Sequence, residues 1–190
     1  MKLYFYILLL FFISKPAGDS AFVLDSKPEP GKIIDIYDGV PVYYNGDMNN
    51  VFGRNTTMDG YNLGLKYQCI EYVKRYYYYR KDHKMNDPYG HAKDFYDKSL
   101  DDRKYNKKRG LYQFANGSEY RPIAGDILVF DADWENPFGH IGIVTKSEGH
   151  HLEIIQQNVG EQTRAHYRIY KADDLYYIND GHILGWLRKG

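Results

Sequence analysis

Gly64-Leu65-Lys66-Tyr67-Gln68-Cys69-Ile70-Glu71-Tyr72-Val73-Lys74-Arg75 is the stretch on which the reading of this chain turns. It holds the only cysteine among 190 residues. From Tyr67 to about Lys81 the apolar residues Ile70, Val73 and Tyr77 recur at helical spacing, while Glu71, Lys74, Arg75 and Arg80 occupy other faces. The spacing predicts a helix with Cys69 in its first turn. A helix start presents unpaired backbone N–H groups and a partial positive charge, which favour thiolate over thiol. Free cysteine titrates near ~8.5, and such settings lower that by several units. The residue is a candidate nucleophile or, on the plainer reading, a buried structural cysteine.

Working outward, the length fits one domain with a real hydrophobic core. The 25 basic and 25 acidic side chains give a formal charge of zero, which excludes the basic footprint of a nucleic-acid binder. Met1-Lys2, the apolar run Leu3 to Ile13 and the segment Ser14 to Ala21 have the form of a secretory signal peptide over residues 1–20. The apolar run is shorter than the ~20 residues that span a bilayer. A secreted or periplasmic protein is expected, with no stable membrane span after cleavage. Asp25 to Gly31, with Pro28 and Pro30, reads as extended, and residues 21–38 are expected as a linker to a domain over 39–190. A single cysteine excludes an internal disulfide, and an unpaired thiol in an oxidising compartment argues for chemistry at the sulfur.

Along the domain, Val40 to Tyr44 alternates as a short strand, and Asn45 to Asn62 reads as a loop leading into Cys69. A second helix is predicted over Tyr89 to Leu100, with Ala92, Phe95, Tyr96 and Leu100 inward. The period then changes to two. Strands are predicted over Asp126–Asp131, His140–Lys146, His151–Asn158, Ala165–Tyr170, Leu175–Ile178 and Ile183–Leu187. Helices first and an antiparallel sheet afterwards make an α+β arrangement.

A thiol nucleophile needs a base. His83, His91, His150 and His151 sit at helix ends or a tight turn and read as surface residues. His140 opens an apolar strand, and period two places Gly142 beside it on one face, which leaves room next to the imidazole. A turn centred on Glu148 sets His140 opposite Gln156, with Asn158 a diagonal neighbour. An amide oxygen there can accept the imidazole N–H and leave the other ring nitrogen to take a proton from a thiol. Asp131, Asp133, His140, His150 and His151 form no metal-ligand signature, so neither metal nor cofactor is expected.

Tyr67-Gln68-Cys69-Ile70-Glu71-Tyr72-Val73-Lys74-Arg75, Ala124-Gly125-Asp126-Ile127-Leu128, Gly139-His140-Ile141-Gly142-Ile143-Val144 and Ile155-Gln156-Gln157-Asn158 together resemble the CHAP domain, the cysteine- and histidine-dependent amidohydrolases and peptidases. The likeness is to the amidase domain of glutathionylspermidine synthetase/amidase. The resemblance implies a papain-like α+β fold with N-terminal helices packed on an antiparallel sheet. It implies Cys69 as nucleophile, His140 as general base, Gln156 where many members carry glutamate, and Asn158 lining the same site. The backbone N–H of Cys69 would hold the oxyanion, with Gln68 or Asn158 as second donor. The expected protein is an exported, monomeric amidase cutting an amide in peptidoglycan peptides. The alternatives are a glutathionylspermidine-type amidase and a non-catalytic wall-binding protein on the same scaffold.

Overall fold

The computed structural model describes residues 27–190, so the expected signal peptide lies outside the described residues. Two small hairpins come first. β1 (Ile33–Tyr37) pairs with β2 (Val40–Tyr43), and β3 (Arg54–Thr56) pairs with β4 (Asn62–Leu65). The segment expected as linker therefore contributes a strand, and the expected loop over 45–62 contains most of the second hairpin. The helix α1 (Cys69–Lys81) follows, then β5 (Tyr105–Asn106), β6 (Leu111–Ala115), β7 (Ile127–Phe130), β8 (His140–Glu148), β9 (His151–Ile155), β10 (Arg164–Ala172), β11 (Leu175–Ile178) and β12 (Ile183–Arg188). The last eight strands form one sheet in the order β11-β10-β9-β8-β7-β12-β6-β5. Every pairing within it is antiparallel.

The sheet curls until its ends meet. Past the end of β6, Ser118 bridges Tyr176 of β11, with Tyr176 N–H donating to the Ser118 carbonyl at 2.7 Å. Alternation along each strand then feeds two cores. Leu128, Phe130, Val144, Ile154, Ile169 and Trp186 fill the inside of the curl. Ile127, Val129, Ile141, Ile143 and Leu187 point outward against Tyr72, Val73, Tyr76 and Tyr77 of α1. That double demand explains why Ile127-Leu128-Val129-Phe130 is apolar at every position: both faces of β7 are buried.

The expected second helix is corrected here. Among the described residues there is one α-helix, and the region 89–100 holds only a 3-10 turn, Lys93–Phe95. The cause is competition for carbonyls. The Arg109 guanidinium donates to the carbonyls of Asp87 (2.7 Å), Tyr89 (2.9 Å) and Asp94 (3.0 Å), and Asn106 Nδ2 donates to that of Phe95 (3.0 Å). The Tyr89, Asp94 and Phe95 oxygens are ones a continuing helix would use. Ala92 and Phe95 nonetheless point inward and are buried.

On α1 the polar residues Glu71, Lys74 and Arg75, which lie off the apolar stripe, are also buried. The two hairpins cover the face that amphipathic reasoning assigns to water. Each charge there is met by a fixed polar group: Lys74 Nζ donates to the carbonyls of Asn62 and Pro88, and Arg75 donates to Glu71 and to the Pro41 carbonyl (2.7 Å). The Glu71–Arg75 charges persist because they are paired, whereas Lys74, met only by carbonyls, is brought down by burial to about 7.

Candidate active site

Cys69 is the first residue of α1, with Gln68 as its N-cap in extended conformation. The thiol is 7% exposed. Nearby backbone N–H groups, those of Ile141 in β8, Ile70 and Cys69 itself, favour the anionic sulfur. Burial pushes the thiol up to about 11, and those N–H groups oppose the rise without cancelling it. The helix start therefore does not make a resting thiolate, because desolvation of the anion outweighs the favourable dipoles.

His140 begins β8 and packs against Phe130, ring centroids 5.9 Å apart. Its Nε2 donates to Gln156 Oε1 at 3.0 Å, and Gln156 Nε2 donates to the Gln162 carbonyl at 3.4 Å, which fixes which end of the amide faces the ring. An amide oxygen only accepts, so Nε2 carries the proton and Nδ1 is left with the lone pair. Burial holds the imidazole down to about 4, and the Gln156 contact raises it only in part. At neutral pH the pair rests as thiol and neutral imidazole.

The His140–Gln156 contact arises by a route other than the expected register. The ladder sets Ile143 opposite Ile155, two residues from the Glu153 that a turn at Glu148 implies, and a bulge at Thr145 absorbs one residue on the way. On the His140 side of the bulge, a shift of two keeps the side chains on their expected faces. The expected strand to Asn158 ends at Ile155 instead, because Asn158 adopts the left-handed conformation (φ 71°) and turns the chain away. Gln156 then leans across Gly142. A Cβ on Gly142 would meet the Ile155 carbonyl oxygen at 3.0 Å and Gln156 Cβ at 3.5 Å, so the open space beside the imidazole belongs to Gln156.

Gln68 and Asn158 also come to this place, but as scaffold. Gln68 Nε2 donates to the carbonyls of Asn50 (2.8 Å) and Met48 (3.2 Å). Asn158 Nδ2 donates to Gln68 Oε1 (2.7 Å) and to the Met48 carbonyl (3.0 Å), and its Oδ1 accepts from Asn45 Nδ2 (2.6 Å). With two amide hydrogens each, neither side chain has a donor to spare for an oxyanion in this arrangement. What they hold is the 45–50 loop that walls the site. Asn45 was not singled out from the sequence, since the partner that ties it to this place, Asn158, lies 113 residues away.

On the other side of His140 a cleft of about 210 Å³ opens, lined by Phe130, Tyr167 and His182 and by the carboxylates Asp131, Asp133 and Asp180. Among the described residues no group of three or more His, Cys, Asp or Glu is arranged to hold a metal ion.

The difference between Gln156 and a carboxylate can be read directly. In Gln156→Glu, a negative charge beside Nε2–H stabilises the imidazolium and raises the His140 pKa by roughly 1–3 units. The acid limb of Cys69 alkylation by iodoacetamide should move with it, and alkylation near neutral pH should accelerate as the imidazolium–thiolate form becomes less costly, though still a minor species. A profile identical to wild type would mean that Gln156 does not govern the protonation of the pair.

Among proteins of known activity, the bifunctional glutathionylspermidine synthetase/amidase of Escherichia coli is 27% identical over 143 residues, covering 68% of this chain and 23% of that protein. The Shigella flexneri protein of the same name matches equally. Trypanothione synthetase of Crithidia fasciculata is 25% identical over 137 residues, covering 72% of this chain and 20% of that protein. The chain thus spans less than a quarter of the length of these relatives. A model of the CHAP domain matches residues 59–158, over half of the sequence, and the chain belongs to that family.

Proposed function

We propose that this protein is an exported cysteine amidase that hydrolyses an amide bond in peptidoglycan peptides. The observation that carries the reading is the His140 Nε2–H···Oε1 Gln156 bond at 3.0 Å, beside a thiol that opens a helix. His140 Nδ1 takes the Cys69 proton as the sulfur attacks the carbonyl carbon, because the resting pair is neutral. The Cys69 backbone N–H receives the developing oxyanion. His140 then gives its proton to the leaving amine, the C–N bond breaks, and a thioester remains. Water, deprotonated by the same nitrogen, attacks the thioester and restores the thiol. The leader-like N-terminus supports export and hence a wall substrate.

A second substrate is a polyamine–peptide amide. Glutathionylspermidine enters through the names of the relatives, and the carboxylates Asp131, Asp133 and Asp180 in the cleft beside His140 favour a cationic leaving group. Incubation with purified peptidoglycan and, separately, with glutathionylspermidine, read by mass spectrometry, decides between them. New amine termini in wall peptides, absent with Cys69→Ala, are expected. Release of spermidine with wall peptides uncut transfers the assignment to the polyamine amide. Retention on wall fragments with no turnover of either substrate makes the protein a binder.

A further inference from the structure

The segment that leaves β9 sends three consecutive side chains to three places. Gln156 goes to the base and Asn158 to the wall loop. Gln157 goes the other way, under the start of α1, where it is 1% exposed. Its amide is fully used. Oε1 accepts from the Tyr43 backbone N–H (2.8 Å) and Arg75 Nη2 (3.3 Å), and Nε2 donates to the Gln68 carbonyl (3.1 Å) and Glu71 Oε2 (2.9 Å). The Gln68 carbonyl is also the first acceptor of the helix, taking the Tyr72 N–H at 3.3 Å.

Glu71, two residues past the nucleophile, has no exposed surface. Its carboxylate receives Asn55 Nδ2 (2.7 Å), Arg75 Nε (2.7 Å) and Nη2 (3.4 Å), besides Gln157. Burying a carboxylate and a guanidinium seldom stabilises a fold more than apolar packing of the same volume does. What a fully bonded polar cluster supplies is a single geometry. Here that geometry joins the first turn of the nucleophile's helix to the residue next to Gln156.

We infer that Gln157 is a positioning residue, which, on the amidase reading above, holds the Cys69 end of α1 in register with His140 through the Gln68 carbonyl and the Glu71–Arg75 pair. The base is held by Gln156 and the nucleophile's helix by Gln157, so one peptide bond fixes both halves of the reacting pair. A displacement of about 1 Å between reacting groups can cost roughly a hundredfold in rate.

The test compares Gln157→Leu with Ile169→Ala, a truncation inside the sheet's curl and outside the site. For both, melting temperature, kcat, KM and the pH dependence of Cys69 alkylation by iodoacetamide are measured. Gln157→Leu is expected to lose roughly a hundredfold in kcat with KM little changed. Its alkylation profile should also move toward that of a free thiol. Ile169→Ala should lower the melting temperature yet keep kcat and the alkylation profile. Wild-type kcat in folded Gln157→Leu, or kcat falling in both variants in proportion to stability, overturns the inference. If Gln157→Leu does not fold, Gln157→Asn retains the amide but shortens its reach; the same fall in kcat supports the role, and unchanged kcat overturns it. Wild-type protein that turns over no amide sinks the amidase reading instead, a result separate from active wild type matched by an equally active Gln157→Leu.

Discussion

Cys69→Ala is expected to abolish amide hydrolysis while leaving the fold in place. When nucleophile and base act as a unit, loss of either costs about a millionfold in turnover in a well-studied hydrolase, and loss of both costs little more. Cys69→Ala, His140→Ala and the double variant should therefore be about equally inactive. That non-additivity is the strongest sign that the two residues share one step. The fold should survive because Cys69 is a small member of the apolar cluster around α1, and the loss of one sulfur atom leaves a small void. Circular dichroism and melting temperature check the second half of the expectation. Turnover that persists in purified Cys69→Ala would remove the thiol from the mechanism.

The second large effect is on stability in acid. His140 is held down to about 4 in the folded protein by burial, against an ordinary value of 6.5. The unfolded chain therefore takes up a proton as pH falls through 6.5, and the folded chain does not until about 4. Stability present above 6.5 is lost progressively across that window and changes no further from this group below it. Held from 6.5 down to about 4, this group contributes roughly 3 kcal/mol. His83, lowered by burial and raised in part by its bond to the Arg109 carbonyl, works in the same direction. Urea unfolding at a series of pH values from 7 to 4.5 should show a steep loss for wild type and a shallower one for His140→Asn. Parallel curves would show that His140 is not desolvated. The thiol mirrors this at the alkaline end. Its value, raised from 9.0 to about 11, means that stability is lost as pH rises through that interval.

These two protonation states are where composition and spacing were least informative. A cysteine in the first turn of a helix suggests a thiolate, and on a bare helix the dipole would favour one. Here two hairpins and a wall loop exclude water from that turn, and desolvation reverses the sign. The same hairpins overturn the amphipathic reading of α1. Glu71, Lys74 and Arg75 look like a solvated face until β2, β4 and the segment around Pro88 are laid over them. The second helix failed for a related reason. Arg109 gathers carbonyls from 15 to 22 residues away, and a guanidinium arriving from a later segment leaves no trace in local periodicity.

Residues that act through their own neighbours were legible. Cys69 at a helix start follows from the 3.6-residue period of Ile70, Val73 and Tyr77, and the continuous apolar run after Asp126 follows from a strand buried on both faces. His140 beside Gly142, facing Gln156, survives a register error because side-chain direction depends only on parity. So the sequence by itself determined the helix that carries the sulfur, the strand that carries the imidazole, and which face each presents. The tertiary structure alone decided that Gln68 and Asn158 hold a loop, that Gln157 reaches the start of α1, and that Cys69 and His140 rest uncharged. The first set depends on backbone period, which adjacent residues define. The second depends on hydrogen bonds and water exclusion between segments up to 114 residues apart, which exist only once the chain has closed on itself.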